Sequence, residues 1–443
     1  MSTFSRLAKL GTLTTKVGAS YLSARVAGVF QDEDGKKAAM DRLHSANAER
    51  IVGSLGALKG AAMKLGQAVA QAAEGLDLPP EAKAALSRLH DKAEPVPFSV
   101  IQARVESELG APLGDLFRSF DVEPVGTASL GQAHGAVLPD GTSVVVKVLH
   151  EGVDASVTSD LAALRTMLRA GGAFNRSKEE MDAIFAEIRA RLDEELDYEH
   201  EAQNLRVFRR FFAGDVDVTI PAVHDGWSTR KVLTMGRLEG RPISVFAATA
   251  PDAARQRAGL ALARSFVRMQ YVLRTIHGDP HPGNYLFQPD GRIGILDFGC
   301  VRTYELPFMA TYGGIGLDAL AGDREAAMRK VLAVGALARR DAAAEDAIWE
   351  FISTIGRPFQ GGPFTFGGPD DDIQDRITAV VPRLIAQPNA RNPRELIFLH
   401  RGLAGLHTLA KQLKVTGDWH DMFVEHVHLC LAEAKAAGIA LPA

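Results

Sequence analysis

Two short motifs in the second half of the chain carry the residue types that phosphate chemistry requires. The first, His277 to Asn284 (HGDPHPGN), places Asp279 five residues before Asn284. The second places Asp297 after an apolar run and directly before a Phe-Gly pair. This pattern is typical of phosphoryl transfer, in which the first aspartate orients the attacking group. We predict that Asp279 is catalytic and that Asn284 and Asp297 ligate Mg²⁺, which prefers hard oxygen ligands. Two unrelated acidic turns are the alternative, which the spacing of the pair disfavours.

Lys147 interrupts a β-branched, apolar run over residues 142–149. A lysine in such a strand needs an anionic partner, and kinase-type enzymes supply the α- and β-phosphates of ATP together with a helix glutamate. An edge-strand lysine that faces water is the alternative. Because the metal motif follows downstream, we favour nucleotide contact for Lys147. Glu201 is predicted to be its ion-pair partner, with Glu195 as the second choice.

The segment between the first two predicted strands lacks the glycine-rich pattern G-x-G-x-x-G. Residues 126–132 read GTASLGQ instead, and such small residues still let a backbone approach phosphates. A generic turn between strands is the alternative. The residues predicted to contact the nucleotide are Ala128, Ser129, Gly131 and Gln132 of this segment and Met235 of a later strand.

The elements predicted around these motifs are helices, then a small antiparallel sheet with one long helix, then a mostly helical region. The long helix is expected over 160–212. A Pro-Asp-Gly sequence at 139–141 predicts a tight hairpin turn. Residues 356–372, rich in Gly, Pro and Phe, are predicted to be a flexible connector, with a lipid-facing element as the alternative. This order predicts an α+β fold with a cleft between lobes.

Composition narrows the functional classes. The chain has 443 residues, which is too many for one compact core. Its net charge of -4 does not indicate a nucleic-acid-binding surface, which would need an excess of basic residues. Its two cysteines suggest no disulfide framework, which fits a reducing compartment. Residues 1–31 carry basic side chains and no acid. They fit a transit peptide, a membrane-surface helix or the first helix of a soluble domain.

These motifs resemble those of the UbiB (AarF-like) atypical kinases, a family linked to ubiquinone biosynthesis and related lipid metabolism. Residues 64–67 (KLGQ) are similar to its K-x-G-Q signature, and residues 126–134 to its alanine-rich loop. Residues 195–197 (ELD) match its E-x-D motif, with Glu201 at the position of the αC glutamate. The catalytic and metal loops match as well, and a looser match extends through residues 400–402.

The resemblance implies a bilobal protein-kinase-like fold with an N-terminal helical K-x-G-Q extension and a mostly helical C-lobe. The implied parts are a basic segment (1–45), the K-x-G-Q extension (46–118), a kinase-like N-lobe with the αC region (119–235) and a helical C-lobe with both loops (236–443). The extension would cover the cleft. Lys64 and Gln67 share one helix face and would gate that cleft, with Lys64 pairing to Glu195 or Asp197.

The function that the resemblance implies is that of a Mg²⁺-dependent ATPase that binds ATP and ADP and acts with an isoprenoid lipid or quinone precursor. Any membrane contact would be peripheral, in the cytoplasm or, in a eukaryote, in the mitochondrial matrix. Protein kinase activity is not expected. Two alternatives stay open: phosphotransfer to a small molecule, and a nucleotide-gated lipid-binding scaffold. The K-x-G-Q helix argues against phosphotransfer to a small molecule. The presence of Lys147, Asp279, Asn284 and Asp297 together argues against a scaffold without chemistry.

Overall fold

The computed structural model describes residues 96–127, 130–153, 161 and 178–442. It divides into two compact units. The described residues up to Ala202 and Val223–Arg237 form unit 1, whereas Gln203–Ala222 and the described residues from Leu238 onwards form unit 2. Residues 203–222, which the sequence division assigned to the N-lobe, therefore group with the helical unit.

Helices and strands alternate in the first part of the described chain, and helices predominate in the later part, as the sequence predicts. The strands are β1 Ser119–Thr127, β2 Gly131–Val137, β3 Ser143–Leu149, β4 Val218–Thr219, β5 Val232–Gly236, β6 Thr275–His277, β7 Tyr285–Phe287, β8 Ile293–Ile295, β9 Val301–Thr303, β10 Phe364–Thr365 and β11 Thr416–Gly417. The helices are α1 Phe98–Leu109, α2 Leu113–Leu116, α3 Lys178–Glu195, α4 Tyr198–Phe211, α5 Ile243–Thr249, α6 Asp252–Arg268, α7 Leu306–Ala321, α8 Arg324–Ala333, α9 Ala342–Ile355, α10 Ile373–Ile385, α11 Arg394–Leu413 and α12 His420–Ala436.

Unit 1 is built on an antiparallel sheet with the strand order β1-β2-β3-β5. The predicted hairpin turn joins β2 to β3, where Gly141 has a φ of 89° and the carboxylate of Asp140 accepts the amide of Thr142 at 2.8 Å. Alternate β3 residues are buried against α1, notably Val146 beside Ile101. Because side chains alternate along a strand, residue 147 lies on the opposite face from this core.

The region predicted as one long helix contains two helices within its described part. Helix α3 ends at Glu195, and α4 begins at Tyr198. Asp197 lies at the break, where its carboxylate accepts the backbone amides of Glu199 at 3.0 Å and His200 at 3.2 Å. An aspartate at this position satisfies amides that have no partner inside a helix. The single-helix prediction is therefore wrong at this point.

Among the described residues, unit 2 holds three small sheets and most of the helices, and two of the sheets flank the motif loops. Strands β4, β8 and β7 form one sheet, and β6 pairs with β9 in the other. These short strands fix the ends of the two motif loops. Helix α6 continues into a π-helical turn at Met269–Leu273, and Arg274 then adopts a left-handed conformation with a φ of 55° before β6 begins. Helices α7 to α12 complete the unit.

The Phe-rich segment 356–372 is an ordered part of unit 2, so its prediction as a flexible connector is wrong. Its strand β10 pairs with β11. The ring of Phe366 packs 5.4 Å from that of Trp419, and the Trp419 indole donates a hydrogen bond to the carbonyl of Phe364 at 3.1 Å. The segment is held by residues more than 50 positions away, which local periodicity does not reveal. Across the described ranges, no helix combines the length and apolarity that a membrane span requires.

Candidate functional site

Lys147 of β3 and Glu201 of α4 form a close ion pair in unit 1. The lysine Nζ lies 2.6 Å from Oε1 and 2.9 Å from Oε2 of the glutamate. The pair is largely removed from water, because the two side chains are 16% and 4% exposed. The Tyr198 ring lies 5.5 Å from the same Nζ. A carboxylate in so buried a place requires a cation, so this pair fixes the ammonium group in one position.

The strand register explains how the lysine is presented. Lys147 pairs with Ala133 on one side and Leu233 on the other, so it lies in the middle of the sheet. The alternative of an edge-strand lysine is therefore excluded. Gly131 begins the neighbouring strand, and a Cβ there would lie 2.6 Å from the carbonyl oxygen of Val148. Glycine is required at this position because the two backbones approach so closely.

The other predicted residues of unit 1 have structural partners. Gln132 is 3% exposed, and its amide oxygen accepts the backbone amide of Val96 while its nitrogen lies 3.2 Å from Nε2 of His134. Met235 is buried in β5 opposite Val145. Asp197, besides capping α4, lies 3.4 Å from Arg230. Glu195 is the last residue of α3. The predictions for Lys64, Gln67, Ala128 and Ser129 fall outside the described residues, so the pairing of Lys64 with Glu195 or Asp197 stays a prediction.

In unit 2, the predicted catalytic Asp279 pairs with an arginine from a distant helix. The Arg401 guanidinium Nη2 lies 2.7 Å from the Asp279 Oδ1. Helix α11, which carries Arg401, packs directly on this loop, because a Cβ on Gly405 would lie 2.2 Å from Cγ of Pro280. The aspartate side chain stays 41% exposed. It is therefore positioned by the protein and still accessible to a substrate.

Asn284 is held so that its amide oxygen is available. Its Nδ2 donates a hydrogen bond to the backbone carbonyl of Asp279 at 2.9 Å. The backbone carbonyl of Asn284 accepts the amide of Leu296 at 2.9 Å, which joins the catalytic loop to the residue before Asp297. Once the amide nitrogen is engaged, the oxygen is the group left to bind a metal ion.

His277 connects the two loops. Its Nε2 donates to the backbone carbonyl of Asp297, and its Nδ1 accepts the amide of Asp279 at 3.3 Å. This arrangement requires a neutral ring with the proton on Nε2. Burial lowers the pKa of His277, in agreement with that neutral form. Sequence analysis included His277 in the motif and gave it no role; the structure identifies it as a positioning residue.

The second loop is anchored by its phenylalanine. Phe298 is fully buried, its ring lies 4.6 Å from that of Phe208, and its carbonyl accepts the Asn204 amide at 2.9 Å. The Asp297 Oδ1 accepts the backbone amide of Gly299 at 3.0 Å. The Asp297 carboxylate is thus oriented by its own loop, and carboxylate and amide oxygens are the donor types that suit Mg²⁺.

Acid sensitivity is expected to follow from buried neutral histidines in unit 2. Burial lowers the pKa of His277, and it lowers that of His400 in α11 to about 4. In the unfolded chain each histidine takes up a proton as the pH falls below its ordinary pKa of about 6.5. The folded protein therefore keeps its full stability above that pH and loses stability as the pH falls towards 4. For His400 alone the loss at pH 5 is about 2 kcal/mol.

Urea unfolding at pH 7 and pH 5 tests this expectation. The variant His400→Gln should lose less stability between the two pH values than the parent protein. His428→Gln serves as the matched control, because His428 is exposed on α12 and its replacement should leave the pH dependence unchanged. If His400→Gln showed the same pH dependence as the parent, the assignment would fail.

Arg401 is a residue that sequence reasoning did not assign. It lies 122 positions from Asp279, and only the loose match of residues 400–402 marked it. No local pattern reveals an ion pair across such a separation.

Comparisons with known proteins identify the family to which the chain is similar. The model of the ABC1 atypical kinase-like domain matches residues 88–331, which is more than half of the chain. The mitochondrial atypical kinase COQ8 of Saccharomyces cerevisiae is 28% identical over 435 residues, covering 96% of this chain and 84% of that protein. The mitochondrial atypical kinase coq-8 of Caenorhabditis elegans is 30% identical over 390 residues, covering 86% of this chain. The chain spans about half, 51%, of that relative.

A solved structure has the same fold. It is the complex of Rv3197 with erythromycin from Mycobacterium tuberculosis, which is 25% identical, with a TM-score of 0.61 over 88% of this chain and 97% of that one. The predicted kinase-like α+β fold, with sheets in the first unit and a largely helical remainder, is thereby confirmed. The chain belongs to the ABC1 family of atypical kinase-like proteins, which is the UbiB or AarF-like family.

Proposed function

We propose that the chain is a Mg²⁺-dependent, ATP-binding enzyme of the UbiB type that supports ubiquinone or other isoprenoid-lipid metabolism. Its family membership supports an atypical kinase-like enzyme. The COQ8 relatives support the link to quinone metabolism.

The observation that carries the proposal is how the two loops of unit 2 are held together. His277 bonds to the backbone of both loops, and Asn284 bonds to the carbonyl of Asp279. These contacts engage nitrogen atoms of His277 and Asn284, and carboxylate and amide oxygens such as those of Asp297 and Asn284 are the donor type that Mg²⁺ prefers. Such pre-organised charge is the main contribution of a protein to phosphoryl transfer.

The proposed roles follow from these contacts. Asn284 and Asp297 would hold Mg²⁺, which when bound neutralises charge on the phosphates of ATP. Asp279, positioned by Arg401, would orient the attacking group. Lys147, fixed by Glu201, would contact the phosphates. The backbone around Gly131 would approach the nucleotide, whereas the amide of Gln132 is already engaged within the protein.

The proposed partners are ATP or ADP and an isoprenoid lipid or quinone precursor, with peripheral contact at a membrane surface. The names of the COQ8 relatives include the word mitochondrial, which supports a mitochondrial location for a eukaryotic source. The proposed compartment is the matrix in a eukaryote and the cytoplasmic face of the inner membrane in a bacterium.

Nucleotide binding should stabilise the protein in a metal-dependent way. At 100 times the dissociation constant, Mg-ADP should raise the free energy of unfolding by about 2.7 kcal/mol. Removing Mg²⁺ with EDTA at the same ADP concentration should abolish most of this gain, because the two donors Asn284 and Asp297 then face phosphates without a cation. Urea unfolding with Mg-ADP, with ADP and EDTA, and without ligand measures the effect.

Phosphate release from Mg-ATP by the same protein separates the candidate functions. Turnover together with Mg-dependent stabilisation supports the enzyme. Stabilisation without turnover would favour the nucleotide-gated scaffold, and the γ-phosphate appearing on an added metabolite would favour a small-molecule phosphotransferase. Equal stabilisation with and without EDTA would refute the proposed metal site.

A further inference from the structure

An apolar pocket opens among helices α6, α7, α9, α11 and α12 of unit 2. The cavity has a volume of about 120 Å³, close to the roughly 150 Å³ of an engineered apolar cavity that binds one benzene ring. Aromatic rings form much of its wall: the ring centroid of Phe423 lies 5.9 Å from that of Tyr271, in an edge-to-face arrangement, and 4.9 Å from that of Phe359, in a tilted one. Of the described residues that line it, none is acidic, a lysine or an arginine.

Four polar side chains face this apolar space: Gln270, Tyr271, Tyr312 and His400. Gln270 is 3% and Tyr271 is 2% exposed. Within the described part of the chain, no hydrogen bond joins the side chains of these four residues to another group. Buried polar groups are nearly always hydrogen-bonded, so these side chains provide bonding capacity for a molecule that enters the pocket.

The polar side chains are neutral. Burial raises the pKa of both Tyr271 and Tyr312 and lowers that of His400 to about 4. Phenol, amide and imidazole groups in a wall without charge suit a hydroxyl or carbonyl group. They do not suit a carboxylate or phosphate, whose burial without a cation is costly.

The pocket adjoins the catalytic loop through two elements. Gln270 and Tyr271 lie in the π-helical turn, a feature frequent at functional sites, and this turn leads directly into β6 and the loop. On α11, His400 lines the pocket while the next residue, Arg401, pairs with Asp279. A molecule bound there would contact the helix that positions Asp279.

We propose that this pocket binds a neutral amphipathic molecule, with an apolar body among the aromatic rings and a hydroxyl or carbonyl group on the four polar side chains. A long-chain phenol or alcohol has this chemistry. The physiological meaning of the site rests on the proposed function, whose lipid partner it would accommodate, but the binding itself requires no nucleotide.

The test is calorimetric titration of the full chain with 4-heptylphenol, and with decanoate as a charged comparison. We expect the phenol to bind at least about tenfold more tightly than decanoate, because no cation lines the wall. The pocket-filling variant Ala319→Trp should weaken phenol binding at least about tenfold, since the indole occupies the space. Ala432→Trp, the same change on the exposed face of α12, should leave binding unchanged.

Tyr312→Phe gives a second, milder measurement in case the tryptophan variant does not fold. Loss of one hydrogen bond should weaken phenol binding by up to about tenfold. Unchanged phenol affinity in both pocket variants, decanoate binding as tight as the phenol, or no phenol binding by the parent protein would each overturn the proposal. Stabilisation by Mg-ADP is measured on the same samples. If Mg-ADP did not stabilise a parent protein that binds the phenol, the proposed nucleotide function would be refuted and the proposal for the pocket would still hold.

Discussion

Replacing Asp297 with asparagine is expected to lower ATP turnover by about 10³-fold. The amide keeps the oxygen that accepts the backbone amide of Gly299, so the loop should keep its shape, but it removes the negative charge that would bind Mg²⁺. Stabilisation of transition-state charge by a metal is worth several kcal/mol, and about 4 kcal/mol corresponds to this factor. Steady-state phosphate release with saturating Mg-ATP measures the change.

The matched control is Asp290→Asn, the same chemical change in the turn between β7 and β8. Asp290 is 48% exposed and pairs with Arg292 at 2.8 Å, and it has no part in the proposed site. Its turnover should equal that of the parent protein. Should Asp297→Asn also turn over ATP at the parent rate while remaining folded, Asp297 would have no place in the mechanism.

The sheet that carries Lys147 could be predicted from the sequence because its signals are local. A β-branched run, a Pro-Asp-Gly turn and a period of two are each set by neighbouring residues. The observed strand β3 covers Ser143–Leu149, close to the predicted 142–149. Its burial pattern places Val146 in the core and Lys147 on the other face, as alternation along a strand requires.

The partner of that lysine is marked less clearly in the sequence than the strand is. Residues 195–201 offer several acids, and composition does not distinguish them. Burial does: Glu201 is 3% exposed, whereas Glu199 faces solvent. The break before α4 could be predicted from the sequence. Asp197 precedes a turn with two further acids, and an aspartate commonly stands at the start of a helix.

The other parts of unit 2 depend on contacts between distant residues. Arg401 meets Asp279 only because α11 packs on the catalytic loop, and the pocket is assembled from several separate helices. The segment 356–372 appeared structureless because its order comes from Trp419 and β11. The periodicity of apolar residues indicates which face of a helix or strand is buried. It does not indicate which other element packs against that face.

Lys147 is the other residue whose loss should be severe, and its ion pair requires two separate measurements. Glu201 has a side chain that is 4% exposed. Removing the lysine alone leaves this carboxylate buried without its close cation, which costs about 3 kcal/mol or more. Reduced turnover in Lys147→Met would therefore mix a catalytic effect with a loss of stability. Replacing both partners by apolar residues of similar size is often neutral, and this separates the two effects.

We expect Lys147→Met to lower ATP turnover by about 10²- to 10³-fold, the cost of removing one group that stabilises developing charge, and to lower the urea midpoint. The double variant Lys147→Met with Glu201→Leu should recover the midpoint and not the turnover. Lys435→Met, the same change at an exposed position of α12, should alter neither. If the double variant regained the parent turnover, Lys147 would serve only to neutralise a buried glutamate, and contact with the phosphates would have to come from another residue.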